Sequence, residues 1–223
     1  MTRKDYLIPA GLILLSLVPS VAGTARLVEM AGDPLVTEQN ARFLASPLPI
    51  LLHIPAVVLY SIVGAFQFSP GLRRQKRGWH RASGRLMLPM GIVAALTGLW
   101  MAHFYAWPAG DGYMVYGERL IVGTAMLASL VLGADAIRRR DFKAHGDWMI
   151  RAYALGLGAG TQVLTHLPWF ILMEGWPSEG PRGVMMGGAW LLNALVAESI
   201  IRKSRVPQPR PVAMAPLTSP AAA

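Results

Sequence analysis

Residues 71–86 read GLRRQKRGWHRASGRL, and the placing of this stretch decides how the rest of the chain is read. It holds Arg73, Arg74, Lys76, Arg77, Arg81 and Arg85 without a single acid, between two long apolar runs. Such a segment cannot lie in hydrocarbon, and short loops with a Lys/Arg excess stay on the cytoplasmic side of a membrane. With this loop inside, the direction of every other apolar run follows. His80, in its middle, sits where the chain re-enters the apolar phase and is the first candidate for chemistry.

The composition supports a membrane reading. Of 223 residues, 53% are apolar and 15% charged, and the mean hydropathy is +0.40, the profile of an integral membrane protein. A net charge of +9 does not point to nucleic acid, because the cations fall in the gaps between apolar runs instead of on one folded face. The chain has no cysteine, which excludes disulfides, thiolate metal ligands and a covalently attached c-type haem. A metal or haem would have to use histidine, methionine or oxygen ligands.

Six apolar runs are each near the roughly 20 residues needed to cross about 30 Å of hydrocarbon. They span Tyr6 to Gly23, Pro47 to Phe68, Leu86 to Phe104, Leu120 to Ile137, Trp148 to Leu172 and Gly183 to Ile201. The expected fold is therefore an all-α transmembrane bundle over residues 1–204. The first run also admits a signal-peptide reading, since Arg3 and Lys4 precede it and Ser20-Val21-Ala22 resembles a cleavage site. In the six-span reading, 17 of the 21 Lys/Arg lie at the N-terminus, in the 71–86 loop, between Arg138 and Arg151, and after Ile201. The opposite side holds only Arg26, Arg42, Arg119 and Arg182, with seven of the 12 acids. That asymmetry places both termini in the cytoplasm of a bacterial inner membrane protein. The tail at 205–223, rich in Pro and Ala, is expected to be disordered.

Two sevenfold spacings stand out. Gly84, Gly91 and Gly98 recur along the third run, and His53, Tyr60 and Gln67 along the second. The glycines read as close helix packing, as do the pairs Gly156/Gly160 and Gly183/Gly187. The polar stripe should face other helices, because polar groups in lipid are costly and turn to the bundle interior or to a water-filled cavity.

The five histidines form two layers. At ~1.5 Å per residue, His103 and His166 lie roughly 27 Å beyond the inner ends of the third and fifth runs, and His53 reaches a similar depth from the second. His80 and His145 form the inner layer. Facing imidazoles on separate helices can supply both axial ligands of a b-type haem, and the converging trio His53, His103 and His166 could bind a metal. Arg81, Arg85, Arg139, Arg140 and Arg151 could meet haem propionates or anionic lipid headgroups. Arg151 is also placed to pair with Asp135 or Glu198.

His53, the W-H-R-x-x-G-R motif at Trp79 to Arg85, and R-D-x-x-x-H-x-x-W-M-x-R at Arg140 to Arg151 together resemble a bacterial family of predicted multi-pass membrane proteins with a domain of unknown function. The resemblance covers about residues 48–172. It implies that His53, His80, Arg81, Gly84, Arg85, His145, Trp148, Met149 and Arg151 matter as a set, and it implies no activity. The architecture is more loosely similar to the cytochrome b561 group, six-helix proteins holding b-haems on histidine pairs from the second and fourth and from the third and fifth helices. His80 with His145 matches the third-with-fifth pair. The fourth run has no histidine, so a second haem would need His166 or Met126 beside His53.

Three readings follow. One is a transmembrane electron-transfer protein holding a b-haem or metal on His80 with His145 and on His53 with His166, fed by a membrane or cytoplasmic redox donor. Another is a non-catalytic membrane subunit or small-solute transporter whose polar stripe lines a cavity. A third is a hydrolase with zinc on His53, His103 and His166 and with Glu118 as the nearby acid.

Overall fold

The computed structural model describes residues 2–205, and every regular element among them is a helix. They are α1 (Arg3–Ala31), α2 (Ala41–Ala45), α3 (Pro47–Gln67), α4 (Pro70–Gln75), α5 (Arg77–Phe104), α6 (Tyr113–Arg138), α7 (Phe142–Gly156), α8 (Gly158–Leu172) and α9 (Glu179–Arg205). Five of these, α1, α3, α5, α6 and α9, are long and apolar enough to cross a membrane. Local chemistry marks where several begin. Pro47 and Pro70 open α3 and α4, where a missing N–H costs nothing. The Asp141 carboxylate caps α7 by accepting from the Ala144 amide at 2.9 Å.

The fifth apolar run departs from expectation. Together with the six residues before it, it forms two fifteen-residue helices, α7 and α8, that meet at Leu157. Gly156, Gly158 and Gly160 surround the joint, where the helix is intrinsically weakest. Asn193 of α9 compensates from across the interface: its Nδ2 donates to the Ala154 carbonyl at 2.9 Å, and its Oδ1 accepts from Thr161 Oγ1 at 2.8 Å. Irregular backbone at membrane depth persists only where neighbouring protein satisfies it in this way.

Contacts between helix ends sort them into two groups. At one end, the Asp5 carboxylate of α1 accepts from the Gly71 amide of α4 at 2.5 Å, and Arg205 at the end of α9 reaches Asp147 near the start of α7 at 2.7 Å. At the other, Tyr105 after α5 donates to the Ser46 carbonyl before α3 at 2.6 Å, and Arg26 of α1 stacks over Phe43 of α2. There too, Asp111 takes Arg119 of α6 at 2.5 Å and Arg182 of α9 at 2.6 Å, with its own side chain only 1% exposed. The tail after Arg205 lies outside the described residues.

Small residues fill the interior. Ala65, Ala95 and Ala152 are buried beside Tyr60, Met126, Leu130 and Tyr153, whereas Leu14, Leu164 and Leu195 point outward. Large apolar side chains outside and small ones at the contacts are what a bundle solvated by lipid requires.

The two sevenfold stripes meet each other. A Cβ on Gly91 of α5 would lie 2.7 Å from the Tyr60 ring of α3, and one on Gly98 would lie 3.3 Å from the His53 ring. A Cβ on Gly84 would lie 4.0 Å from Gln67 Oε1. The antiparallel register thus sets 53 against 98, 60 against 91 and 67 against 84. Gly91 clears room for the Tyr60 ring and Gly98, less tightly, for His53, while a Cβ at Gly84 would make only ordinary contact with Gln67.

Candidate functional site

The inner imidazoles lie on α5 and α7, flanking the end of α6. The His145 Nδ1 is 2.8 Å from the Gly133 carbonyl. A carbonyl can only accept, so Nδ1 carries the proton and the Nε2 lone pair is left for a ligand. Gly133 makes this approach possible: Trp148 Cβ would be 3.3 Å from a Cβ there, and the Met149 methyl occupies the same space. Three residues of the H-x-x-W-M-x-R motif therefore close on one glycine.

Burial, and after it the charges of Arg73 and His145, disfavours a proton on His80. Its Nδ1 is buried without a hydrogen-bond partner. Arg151, the last residue of the motif, grips Glu198 of α9 through Nε at 2.6 Å and Nη2 at 3.1 Å and lies over the Trp148 ring. Of the two acids expected for it, Glu198 is the partner, while Asp135 takes Arg139 at 2.9 Å. Arg81 and Arg85, on the same helix as His80, remain exposed, with Arg81 Nε donating to the Arg77 carbonyl at 3.4 Å. Arg140, in the turn between α6 and α7, holds a left-handed φ of 62°.

One imidazole has its tautomer fixed by a backbone carbonyl, as ligating histidines commonly do, and the other keeps an unpartnered buried nitrogen. Cations stand alongside.

The outer histidines go to separate partners. His53 Nδ1 is 2.9 Å from Thr97 Oγ1 of α5, whose own hydroxyl proton is given to the Val93 carbonyl at 2.6 Å, so the imidazole is the donor. His103 meets the Tyr116 hydroxyl at 2.8 Å. His166 turns back onto its own helix at the Gln162 carbonyl, 2.8 Å away. Among the described residues no three His, Asp or Glu side chains converge as a metal site would require. Met126, the expected substitute ligand, packs toward Gly156 in the core. The polar stripe is likewise engaged: Gln67 Nε2 donates to Ser83 Oγ at 2.6 Å and Tyr60 is buried against α5.

The pattern of residues 50–201 matches one known family. The chain belongs to the family described as "Predicted membrane protein (DUF2306)". The match extends past the 48–172 core that the motifs mark and takes in α9 as far as Ile201. It thereby includes Glu198 and Asn193, the α9 partners of Arg151 and of the helix break. No curated protein and no solved structure matches the chain.

Several residues of consequence carried little signal in the sequence. Asp147 sits inside the family motif yet stood among its variable positions, and it is buried against Arg205. Asn193 was visible only as a lone amide in an apolar run. Asp111 carries no local signal, because Arg182, one of its two arginines, is 71 residues away in sequence.

Proposed function

We propose that this member of the family crosses the bacterial inner membrane six times, with α7 and α8 together forming the fifth crossing and both termini in the cytoplasm. We further propose that His80 and His145 form a bis-imidazole centre for a b-type haem at the cytoplasmic end, exchanging electrons with a membrane or cytoplasmic donor. The carrying observation is the His145 Nδ1–H bond to the Gly133 carbonyl, which presents Nε2 as a ligand on the side of the bundle where His80 keeps a buried, unpartnered nitrogen.

Topology and electrostatics support the same assignment. The helix-end contacts alternate between two ends, and the basic stretch 71–86, which folds as most of α4 and the first turns of α5 instead of the expected loop, shares one of them with the N-terminus and the end of α9. At the opposite end, Arg26 pairs with Glu29, Arg119 and Arg182 with Asp111, and Arg42 stacks on Phe43. The cations with the least cover thus lie at the end assigned to the cytoplasm. The packing of α1, with Gly160 pressed against the Leu15 backbone and Asp5 held at Gly71, favours a retained span over a cleaved signal.

A haem bound there would supply one-electron transfer. The protein's part is to orient His145, to exclude water around His80 and to offer Arg81 and Arg85 to the propionates. One centre is proposed, because His53 turns to Thr97 of α5 while His166 turns along its own helix to Gln162, so the two imidazoles lie at different interfaces. The test is a reduced-minus-oxidised spectrum of protein purified in detergent from haem-replete cells. Soret and α bands are expected, and each should vanish in His80→Ala and His145→Ala variants that retain wild-type helicity. A wild-type protein without either band overturns the haem assignment.

A further inference from the structure

We infer that a cleft between α6 and α9 is a binding site for a small organic ammonium ion with a hydrocarbon body, entering from the bilayer. The cleft encloses about 240 Å³ and is walled by Ile121, Val122 and Ala125 of α6, Leu155 of α7, and Trp190 and Leu191 of α9. Its charged group is Glu118, one and a half turns into α6. That side chain lies across Gly187 of α9, where a Cβ would collide with Oε1. Its Oε2 is buried and has no hydrogen-bond partner.

A carboxylate at this depth needs a counter-charge, and the nearest cation is already spent. Arg119 is held on Asp111 at 2.5 Å. Two groups can neutralise it, a proton or a cation that enters the cleft, and an entering cation displaces the proton. Ile121 and Leu191, 71% and 60% exposed, form its lips on the lipid-facing surface, so the approach is lateral and favours an apolar body. Inside, one carboxylate gives the point of attraction, and the lining includes Trp190, the residue type that quaternary ammonium groups prefer. The volume suits one ring or a few branched carbons beside the charge. This site is independent of His80 and His145.

The test uses the full chain in phosphatidylcholine nanodiscs, with benzyltrimethylammonium as the probe and neopentylbenzene as its uncharged isostere, both measured by equilibrium dialysis against empty nanodiscs. Saturable binding of the cation is expected. Glu118→Gln should weaken it about tenfold or more, and Ala125→Leu, which fills the cleft and leaves the carboxylate in place, should weaken it as well. Both variants are checked for wild-type helicity and melting temperature. Non-saturable uptake by the wild type overturns the inference. So does equal affinity in Glu118→Gln, or saturable binding of the neutral isostere as tight as that of the cation, which would make the cleft a hydrocarbon site only.

Discussion

Gly91 and Tyr60 occupy the same place on opposing helices: any side chain at 91 would begin 2.7 Å from the Tyr60 ring. The pair lies midway between His53 opposite Gly98 and Gln67 opposite Gly84, so one contact reports on the register of the whole α3/α5 interface.

A graded effect of alanine along the glycine stripe follows. Gly91→Ala should destabilise by about 1–3 kcal/mol, the usual cost of overpacking. Gly98→Ala, with its nearest ring atom at 3.3 Å, should cost less. Gly84→Ala, with nothing closer than 4.0 Å, should be neutral or stabilising through its better helix propensity. Melting temperatures in one detergent rank the three, and a Gly84→Ala loss as large as that of Gly91→Ala would refute the register.

Asn193 should matter more than a single surface amide. Asn193→Leu leaves the Ala154 carbonyl and the Thr161 hydroxyl without the partners they have here, at a cost of about 1–3 kcal/mol. Hydrogen exchange should rise first around residues 154–161. Adding Thr161→Val to Asn193→Leu should cost less than the sum of the two, since they share one bond.

Arg151 and Glu198 form a two-pronged pair whose side chains are partly open to solvent. Removing one partner, as in Glu198→Gln, should cost about 1–2 kcal/mol, below the figure for a fully buried pair. A double-mutant cycle with Arg151→Met measures the coupling, and additive effects would mean that the two groups do not pair in the membrane. The Soret band should persist in Glu198→Gln, because Glu198 is not a proposed ligand.

Asp111 holds two arginines from different helices with its side chain almost fully covered. Asp111→Asn should strand two partly buried cations and lower the melting temperature more than Asp135→Asn, whose pair with Arg139 is exposed. Equal losses would argue against a lock at that end.

The absence of cysteine makes topology directly testable. With single replacements at the exposed positions Gln75 and Ala109, an impermeant maleimide added to intact spheroplasts should label Ala109→Cys and leave Gln75→Cys unmodified. The reverse pattern would invert the proposed orientation.

The hydrophobic run lengths and the crowding of cations at 71–86 were sufficient to identify a helical membrane protein, because hydrocarbon excludes charge and unpaired backbone wherever they occur in a chain. His80, His145 and both sevenfold stripes are legible in the sequence too, since periodicity along one helix is a local property; which stripe opposes which is not. That Gly91 receives Tyr60, that Arg151 chooses Glu198 over Asp135, and that Asn193 bridges a break at Leu157 all depend on how helices distant in sequence are rotated and brought together. So does the division of the histidines, whose sequence depths agreed while their side chains turned to Gly133, Thr97, Tyr116 and Gln162. Depth follows from counting residues along one axis. Convergence depends on rotation about several axes at once, and only the packed bundle decides it.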